Sequence, residues 1–474
     1  MIRRLLTLTT LLMACTTPLI SSAGQVKEPA VAGSFYSSDP VVLKKEIDGW
    51  LAAAAGARRE ERPVAVVVPH AGYVYSGAVA AFSYVQLRGR DIRTVYLIGP
   101  AHRTPLSGAA VYPGEGLRTP LGVVPIDSRK ARALLDEGSG IVARTEPFRE
   151  EHSLEVQLPF LQQVLGTFTL VPILVGSPTP DSYATLSARL ATALRNDPHA
   201  ILVISTDLSH YHDRATAARL DGRVTDALSR LAASDLERLL GRGEAEMCGG
   251  WPVLYGIAAG RGAGATTGEV YRYADSAETS GDTARVVGYT AAGFYRTPLT
   301  PVRRAALVTL AQAALAAAVT GNPPPSPPAT DPLLRADGAA FVTLTTPDGR
   351  LRGCIGHIIP RTSLAQSVID NAAAAALHDR RFSPVTVQEL PGLRVEVTVL
   401  SPLEPVADPS EIAVGTHGVY LELGQAGSVF LPQVPVEQKW DRKTYLEQLA
   451  MKAGLPPDAW KKARLSRFTA EIIH

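Results

Sequence analysis

The sequence predicts an α/β protein: a layered sheet with helices on both faces, followed by a smaller α+β domain. Short apolar runs rich in β-branched residues alternate with helical stretches from about residue 24 to about residue 298. This pattern changes near residue 298, where an Ala/Leu-rich helix precedes a proline-rich segment. Of the 474 residues, 46% are hydrophobic and 19% are charged, which supplies enough apolar sequence for two cored domains.

The first domain is predicted from four central strands and the helices between them. The strands cover residues 64–68, 94–98, 169–175 and 200–205, the helices 128–135, 153–165 and 181–195, and a closing strand 285–295. Continuous apolar runs are typical of parallel strands covered on both faces. A functional site is therefore expected at the carboxyl ends of these strands.

The second domain is predicted to cover residues 298–474. It begins with a helix over 302–320 and a proline-rich segment, 321–332, which is either an interdomain linker or a loop inside the domain. Strands over 340–345 and 394–400 flank a helix over 363–378. Strands with few regular crossovers favour an α+β domain.

The first 24 residues have the pattern of a secretory signal peptide. Arg3 and Arg4 precede a moderately apolar stretch, 5–20, and residues 21–23 offer a small-residue cleavage site. Residues 12–15 also resemble a lipobox, which would make Cys15 a lipid-anchored N-terminus; both processing routes stay open. The pattern predicts an exported bacterial protein, periplasmic or lipid-anchored, and a cytoplasmic one if the signal is not used.

The net charge and the cysteine positions argue against nucleic-acid binding and against a disulfide framework. A formal net charge of +2 provides no basic field for binding nucleic acid. Cys15 belongs to the signal, so Cys248 and Cys354 remain, in different predicted domains. No disulfide framework is expected from this spacing. Metal ligation is one reason for a free cysteine in an exported protein.

Polar residues follow or interrupt apolar runs at five places in the first domain. They are His70, His102, His152 (with Ser153 as a helix cap), the pair Asp207 and His210, and Cys248. In a layered sheet the strand ends would bring His70, His102 and the Asp207 pair to one rim. Imidazole, thiolate and carboxylate groups from separate loops are typical of transition-metal sites. Taken singly, each is better explained as a cap, a surface residue or, for Cys248, a small buried hydrophobe.

Seven motifs resemble the Memo family. They are Pro69-His-Ala-Gly-Tyr, Gly99-Pro-Ala-His102, Glu151-His-Ser-Leu-Glu155, Asp207-Leu-Ser-His210, Met247-Cys-Gly-Gly250, Val31-Ala-Gly-Ser-Phe-Tyr36 and Leu117-Arg-Thr-Pro-Leu-Gly122. They occur in the family's order across about residues 26–297. The resemblance implies a domain over residues 25–297 with a fold like the LigB-like class III extradiol dioxygenases, which bind non-haem iron.

The same resemblance implies roles for the site residues. Carried over by position, the metal ligands are His70, His102 and Cys248, and the catalytic residues lining the same pocket are His152, Asp207 and His210. Because a thiolate replaces the carboxylate of two-His-one-carboxylate iron sites, Fe(II) or copper is the expected metal and zinc the alternative. His210 is expected to act as general acid or base, oriented by Asp207.

Motifs in the second domain resemble the AMMECR-type domain. They are Gly349-Arg-Leu-Arg-Gly-Cys-Ile-Gly356, the segment from Asn371 to Pro384, and Val395-Glu-Val-Thr-Val-Leu-Ser-Pro-Leu403. Arg352 and Cys354 would line a cleft for a small molecule or partner; a tight glycine-bounded turn with a buried cysteine is the alternative. Cys354 and His357 form a Cys-x-x-His pair, which alone is weak evidence for a metal.

Together the two domains resemble a fusion of proteins A and B of the AmmeMemoRadiSam system, which accompany a radical-SAM protein. Because the chain has no Cys-x3-Cys-x2-Cys motif, radical chemistry would need that separate partner. The expected function is a metal-dependent, dioxygenase-like oxidoreductase acting on a small molecule. A non-catalytic metal- and partner-binding module and a zinc hydrolase are the alternatives. Export is difficult to reconcile with an oxygen-sensitive cytoplasmic partner.

Overall fold

The computed structural model describes residues 26–406 and 408–474, so the predicted signal peptide and Cys15 lie outside the described residues. The strands of the first domain are β1 Val26–Lys27, β2 Ala65–Val68, β3 Thr94–Pro100, β4 Ala109–Val111, β5 Gly116–Thr119, β6 Gly122–Pro125, β7 Ile141–Ala143, β8 Thr169–Val175, β9 Ala200–Ser205, β10 His210–His212, β11 Thr267–Asp275 and β12 Val286–Tyr295. Its helices are α1 Pro40–Ala53, α2 Tyr73–Tyr84, α3 Ser128–Ala133, α4 Leu158–Leu165, α5 Pro180–Asn196, α6 Arg214–Arg230, α7 Ala233–Gly241, α8 Gly250–Gly262 and α9 Ala277–Ser280.

A nine-stranded mixed sheet forms the centre of this domain. Its order is β10-β12-β2-β9-β3-β8-β4-β7, with β11 paired to β12. The four strands β2, β9, β3 and β8 are parallel neighbours. Because β9 lies between β2 and β3, the carboxyl ends of these three strands meet at one edge of the sheet.

Side chains of β2 alternate between two cores on opposite faces of the sheet. Ala65 and Val67 belong to a core shared with α5, α6 and α8, whereas Val66 and Val68 belong to a core shared with α1, α2 and α4. All four residues are fully buried. The predicted layered sheet with helices on both faces is therefore confirmed.

The polar residues near the strand ends differ from two local expectations. Residues 155–157 form a short 3-10 turn and α4 begins only at Leu158, so the predicted helix start at 153 is wrong. Ser153 is no cap, because its hydroxyl donates to the Pro100 carbonyl at 2.9 Å. Asp207 does not start a helix either, since α6 is capped by Asp213.

The second domain has the expected α+β architecture, built on two antiparallel four-stranded sheets, β14-β13-β15-β20 and β16-β19-β17-β18. Its strands are β13 Ala339–Thr345, β14 Leu351–Gly356, β15 Arg394–Leu400, β16 Glu404–Pro405, β17 Gly418–Leu423, β18 Ala426–Phe430, β19 Arg464–Phe468 and β20 Ala470–Ile473. Its helices are α10 Pro301–Thr320, α11 Pro332–Arg335, α12 Leu364–Leu377, α13 Gln433–Glu437 and α14 Arg442–Lys452.

Helix α10 belongs to the core of the second domain. Leu307 and Leu315 are buried in one cluster with Val368 of α12 and Val397 of β15. The proline-rich segment therefore lies inside this domain, between α10 and α11. By length and composition alone, α10 is also the one helix of the described chain that is long and apolar enough to cross a membrane, a test that core helices pass as well.

Candidate metal centre

Three histidines from separate loops meet at the carboxyl edge of the sheet. His70 follows β2, His102 follows β3, and His152 lies on the loop before α4. Their ring centroids are 5.1 Å (His70–His102), 5.5 Å (His70–His152) and 4.9 Å (His102–His152) apart. One ring nitrogen of each lies within 4.8 Å of the other two, so this group can hold a metal ion. His152, expected only to line the pocket, is thus placed among the candidate ligands.

Cys248 lies beside His70, but the group of ligand atoms that all lie within 4.8 Å of one another comprises only the three histidines. Its Sγ is 3.1 Å from His70 Nε2 and accepts a hydrogen bond from the Asp207 amide at 3.3 Å. Burial raises the pKa of the thiol. The next residue, Gly249, packs so closely on the end of β9 that an added Cβ would lie 2.5 Å from Thr206. Glycine at this position lets the Cys248 loop approach the strand ends.

The hydrogen bonds of His70 fix its tautomer. The Ser205 hydroxyl donates its only proton to the Ser153 carbonyl at 2.6 Å, so it must accept from His70 Nδ1 at 2.8 Å and from Gln157 Nε2 at 2.9 Å. Nδ1 therefore carries the proton, and Nε2 keeps a lone pair facing Cys248. Burial and the neighbouring imidazoles hold the pKa of His70 well below its usual range, which keeps the ring in the neutral form that binds metals.

Glu151 orients His102 from behind. Its Oε1 accepts from His102 Nδ1 at 3.0 Å and from the amides of His152 and Ser153 at 2.9 and 2.8 Å, and its Oε2 accepts from the His102 amide at 2.5 Å. Burial alone would raise the pKa of Glu151, but these hydrogen bonds outweigh it and lower the pKa to about 2. A carboxylate on Nδ1 leaves Nε2 available as a ligand, a common arrangement behind metal-bound histidines.

The His152 ring supplies the test of whether the residues fit a metal. Its Nδ1 is buried, makes no hydrogen bond within the described residues and lies 3.4 Å from Glu151 Oε1, and burial lowers the pKa of the ring. Three clustered imidazoles with a thiol beside His70 match the donor preference of iron, copper and zinc. Magnesium and calcium prefer oxygen donors, so the cluster fits a transition metal.

Asp207 supports the His70 loop. Its Oδ1 accepts from the amides of His70 and Ala71 at 2.7 and 3.3 Å, and burial raises its pKa to about 7. The His210 amide donates instead to Glu246 Oε1 at 3.1 Å, and burial lowers the pKa of the His210 ring. None of the described hydrogen bonds or ion pairs joins Asp207 to His210, so the expectation that Asp207 orients His210 stays a prediction.

His102 and Cys248 are among the residues that line a cavity of about 910 Å³. Its apolar wall includes Leu106, Leu240, Trp251 and Leu254, and its charged groups are Arg103, Glu237 and Glu246. This volume exceeds that of a single aromatic ring and is in the range of small-molecule sites in proteins. His102 and Cys248 therefore border room for a substrate, whereas His70, His152, Asp207 and His210 are not among the lining residues.

Comparisons with known proteins agree with this architecture. The family model described as Memo-like protein matches residues 27–293, more than half of the chain. The chain belongs to the Memo family. The AMMECR1 family model matches residues 308–473, so a Memo domain and an AMMECR1 domain are fused here, as the motifs predicted.

The Memo domain is similar to single proteins over nearly their whole length. A MEMO1 family protein of Methanothermobacter thermautotrophicus is 36% identical over 276 residues, covering 56% of this chain and 98% of that protein. A relative in Methanopyrus kandleri is 35% identical (57% and 99% covered), and one in Aquifex aeolicus is 35% identical (56% and 97%). Separately from these relatives of the Memo domain, the solved structure of an uncharacterized protein from Pyrococcus horikoshii is 39% identical, with a TM-score of 0.33, and covers 35% of this chain and 88% of its own.

In the AMMECR1 domain, Arg352 hydrogen-bonds to the segment between α12 and β15. Its Nε donates to Glu389 Oε1 at 2.8 Å and its Nη1 donates to the Ser383 carbonyl at 2.8 Å. The hydrogen bond from Arg352 lowers the pKa of Glu389 to about 2. These contacts commit the guanidinium to internal structure, which favours the structural interpretation of this predicted cleft residue.

Cys354 lies on β14 in surroundings that also suit a structural role. Its Sγ accepts a hydrogen bond from the Thr343 hydroxyl at 3.3 Å. A Cβ on the preceding Gly353 would lie 2.2 Å from the Ala375 carbonyl, so glycine is needed where β14 meets α12. Within the described chain, Cys354 and His357 belong to no group of three candidate metal ligands, and Cys354 and Cys248 are both free.

Proposed function

We propose that the Memo domain binds one redox-active transition-metal ion, Fe(II) or copper, and acts as a dioxygenase-like oxidoreductase on a small organic substrate. The observation that carries this proposal is the convergence of three imidazole nitrogens within 4.8 Å, with Cys248 Sγ 3.1 Å from His70 Nε2. Nitrogen and sulfur donors in this number favour iron, copper or zinc. The adjacent 910 Å³ cavity supports binding of an organic substrate.

The side chains of the site would have separate roles in metal binding and in support of the ligands. His70, His102 and Cys248 would hold the metal, and His152 would either complete the set or face the substrate. Ser205 and Glu151 keep the first two rings in the tautomer that a ligand needs. When bound, iron or copper would supply one-electron and dioxygen chemistry that no side chain provides.

His210 is the proposed proton acceptor. Burial lowers its pKa, so the ring is neutral at neutral pH and can take a proton from a substrate hydroxyl or thiol. Leu106, Leu240 and Trp251 offer the substrate an apolar wall. Such a wall excludes water and strengthens polar contacts to a bound substrate.

A non-catalytic metal- and partner-binding module is the second candidate. Its support is the AMMECR1 domain, where Arg352 and Cys354 are engaged in internal hydrogen bonds. The resemblance of the fusion to the AmmeMemoRadiSam system supports a radical-SAM protein as partner. The signal pattern supports export instead, and cell fractionation with a C-terminal tag separates the two: a cytoplasmic pool is required for the partnership.

Oxygen uptake is the measurement that tests the oxidoreductase proposal. Iron- or copper-loaded protein is expected to consume oxygen with at least one member of a catechol and small-thiol panel, and zinc-loaded protein is expected not to. The His210→Gln variant should lose about 100-fold in kcat because it removes the proton acceptor. His199→Gln, at the other end of β9, is the matched control and should keep wild-type turnover.

Two outcomes would replace the proposal. Metal-loaded protein that is inert under both aerobic and reducing conditions would favour the binding module. Turnover with zinc alone, without oxygen uptake, would favour a hydrolase that uses a zinc-bound water.

A further inference from the structure

A second cavity, of about 260 Å³, lies where the two domains meet. The Memo domain contributes Arg261, from the last turn of α8, and Thr266 to its wall. The AMMECR1 domain contributes apolar side chains, among them Leu364 and Val399. This junction cavity shares no residue with the metal cluster or with its substrate cavity. The two sites are connected through α8, which begins two residues after Cys248 and ends at the junction.

Arg261 is the unusual group in this wall. Its described hydrogen bonds all leave from one nitrogen, Nη1, to the Asp337 carbonyl at 3.0 Å and the Leu231 carbonyl at 3.5 Å. None of the ion pairs of the described residues includes Arg261. Burial lowers the pKa of the guanidinium, which records the cost of a cation held away from water.

Guanidinium groups outnumber carboxylates around Arg261. Four guanidinium groups of the junction share three carboxylates: Arg230, Arg238, Arg261 and Arg335 with Asp226, Asp235 and Asp337. Arg230 takes the Asp337 carboxylate at 3.0 Å, so Arg261 interacts with that charge only at longer range. One positive charge of the network is therefore left without its own counterion, beside the cavity.

The other acidic groups of the wall do not fill this role. Glu404 pairs with Arg467 at 3.1 Å, and Glu471 pairs with Arg304 at 2.5 Å. Each already has a guanidinium partner of its own. Arg261 is partly exposed and has no carboxylate of the described residues within ion-pair distance, so an anion that enters the cavity would offset the cost of its partial desolvation.

We propose that the junction cavity binds a small monocarboxylate. Its carboxylate pairs with Arg261, and its apolar part lies against Leu364 and Val399. A single negative charge matches the single surplus cation, whereas a second charge would face Glu404 or Glu471. The volume admits a ligand of roughly ten non-hydrogen atoms, below the usual size of cofactor sites. This site is independent of the proposed metal chemistry.

Calorimetric titration of the full chain with sodium hexanoate, with hexanamide as the uncharged counterpart, tests the proposal. Wild-type protein is expected to bind hexanoate saturably at one site and hexanamide more weakly. Arg261→Met should weaken hexanoate binding at least about tenfold, because a charge-assisted hydrogen-bonded pair is lost. Arg219→Met, an exposed arginine of α6, is the matched control and should bind like wild type.

A second variant keeps the test decisive if Arg261→Met fails to fold. Val399→Phe leaves Arg261 in place and fills the cavity, so it should abolish hexanoate binding while the protein still melts cooperatively. Equal hexanoate affinity in wild type and in either variant would overturn the proposal, as would the absence of saturable binding to wild type.

Discussion

Replacing His70 with alanine is expected to remove the transition metal from the purified protein. Wild-type protein should carry about one ion per chain, and His70→Ala at least about tenfold less after dialysis, because losing a ligand costs more than losing a group behind it. His70 is 2% exposed and contacts both Cys248 and Ser205, so no neighbouring side chain can take its place. Elemental analysis by mass spectrometry measures the result.

The control for this experiment is His199→Ala. His199 precedes β9 and hydrogen-bonds Asp91, at the opposite edge of the sheet, so this variant should keep the wild-type metal content. The pair Cys248→Ala and His152→Ala then identifies the third ligand, since the variant that loses more metal removes the tighter donor. Equal metal content in wild type and His70→Ala would contradict the assignment.

The second large effect is expected at Glu151, which touches no metal itself. Glu151→Gln replaces a carboxylate that accepts four hydrogen bonds with an amide whose nitrogen can only donate. At least one buried N–H group loses its acceptor, which costs about 1–3 kcal/mol in the free energy of unfolding. An amide oxygen that stays at the Oε1 position accepts from His102 Nδ1 more weakly than the carboxylate does, so metal affinity should fall by about 10–100-fold.

Two measurements on Glu151→Gln separate these effects. Urea unfolding of metal-free protein gives the stability change, and competition with a chromophoric chelator gives the metal affinity. The neighbouring Glu150 is exposed, so Glu150→Gln should change neither quantity. Wild-type metal affinity in Glu151→Gln would show that His102 does not depend on this carboxylate.

The convergence of His70, His102 and Asp207 could be predicted because each follows a parallel strand, and parallel strands end at a common edge. The order of those strands could not be predicted in the same way. Placing β9 between β2 and β3 depends on how the connecting helices cross the sheet, which apolar runs do not specify. The sequence therefore predicts which strand ends meet at one edge, whereas the order of the strands in the sheet follows only from the fold.

Cys248 and His152 could be assigned to the pocket only through the family resemblance, because neither directly follows a central parallel strand. Glu151 and Ser205 were missed as supporting residues. Their hydrogen bonds to His102 and His70 span 49 and 135 positions of the chain, and no local pattern encodes such distant partners. The available signal for Glu151 was an acidic residue directly before a histidine.

At Ser153 local propensity and the tertiary structure disagree. Serine before a helical pattern favours an N-cap. In the fold this residue is fully buried beside the end of β3, and its hydroxyl satisfies the Pro100 carbonyl instead. A buried carbonyl without a partner would cost more than a missing cap, so tertiary contacts decide the conformation.

Anomalous diffraction from crystals of metal-loaded protein, collected on both sides of the metal absorption edge, locates the metal ion. We expect one strong peak about 2.0–2.3 Å from His70 Nε2, a ring nitrogen of His102 and Cys248 Sγ or His152. A peak bound by none of these groups, or one at Cys354 and His357 instead, would contradict this assignment.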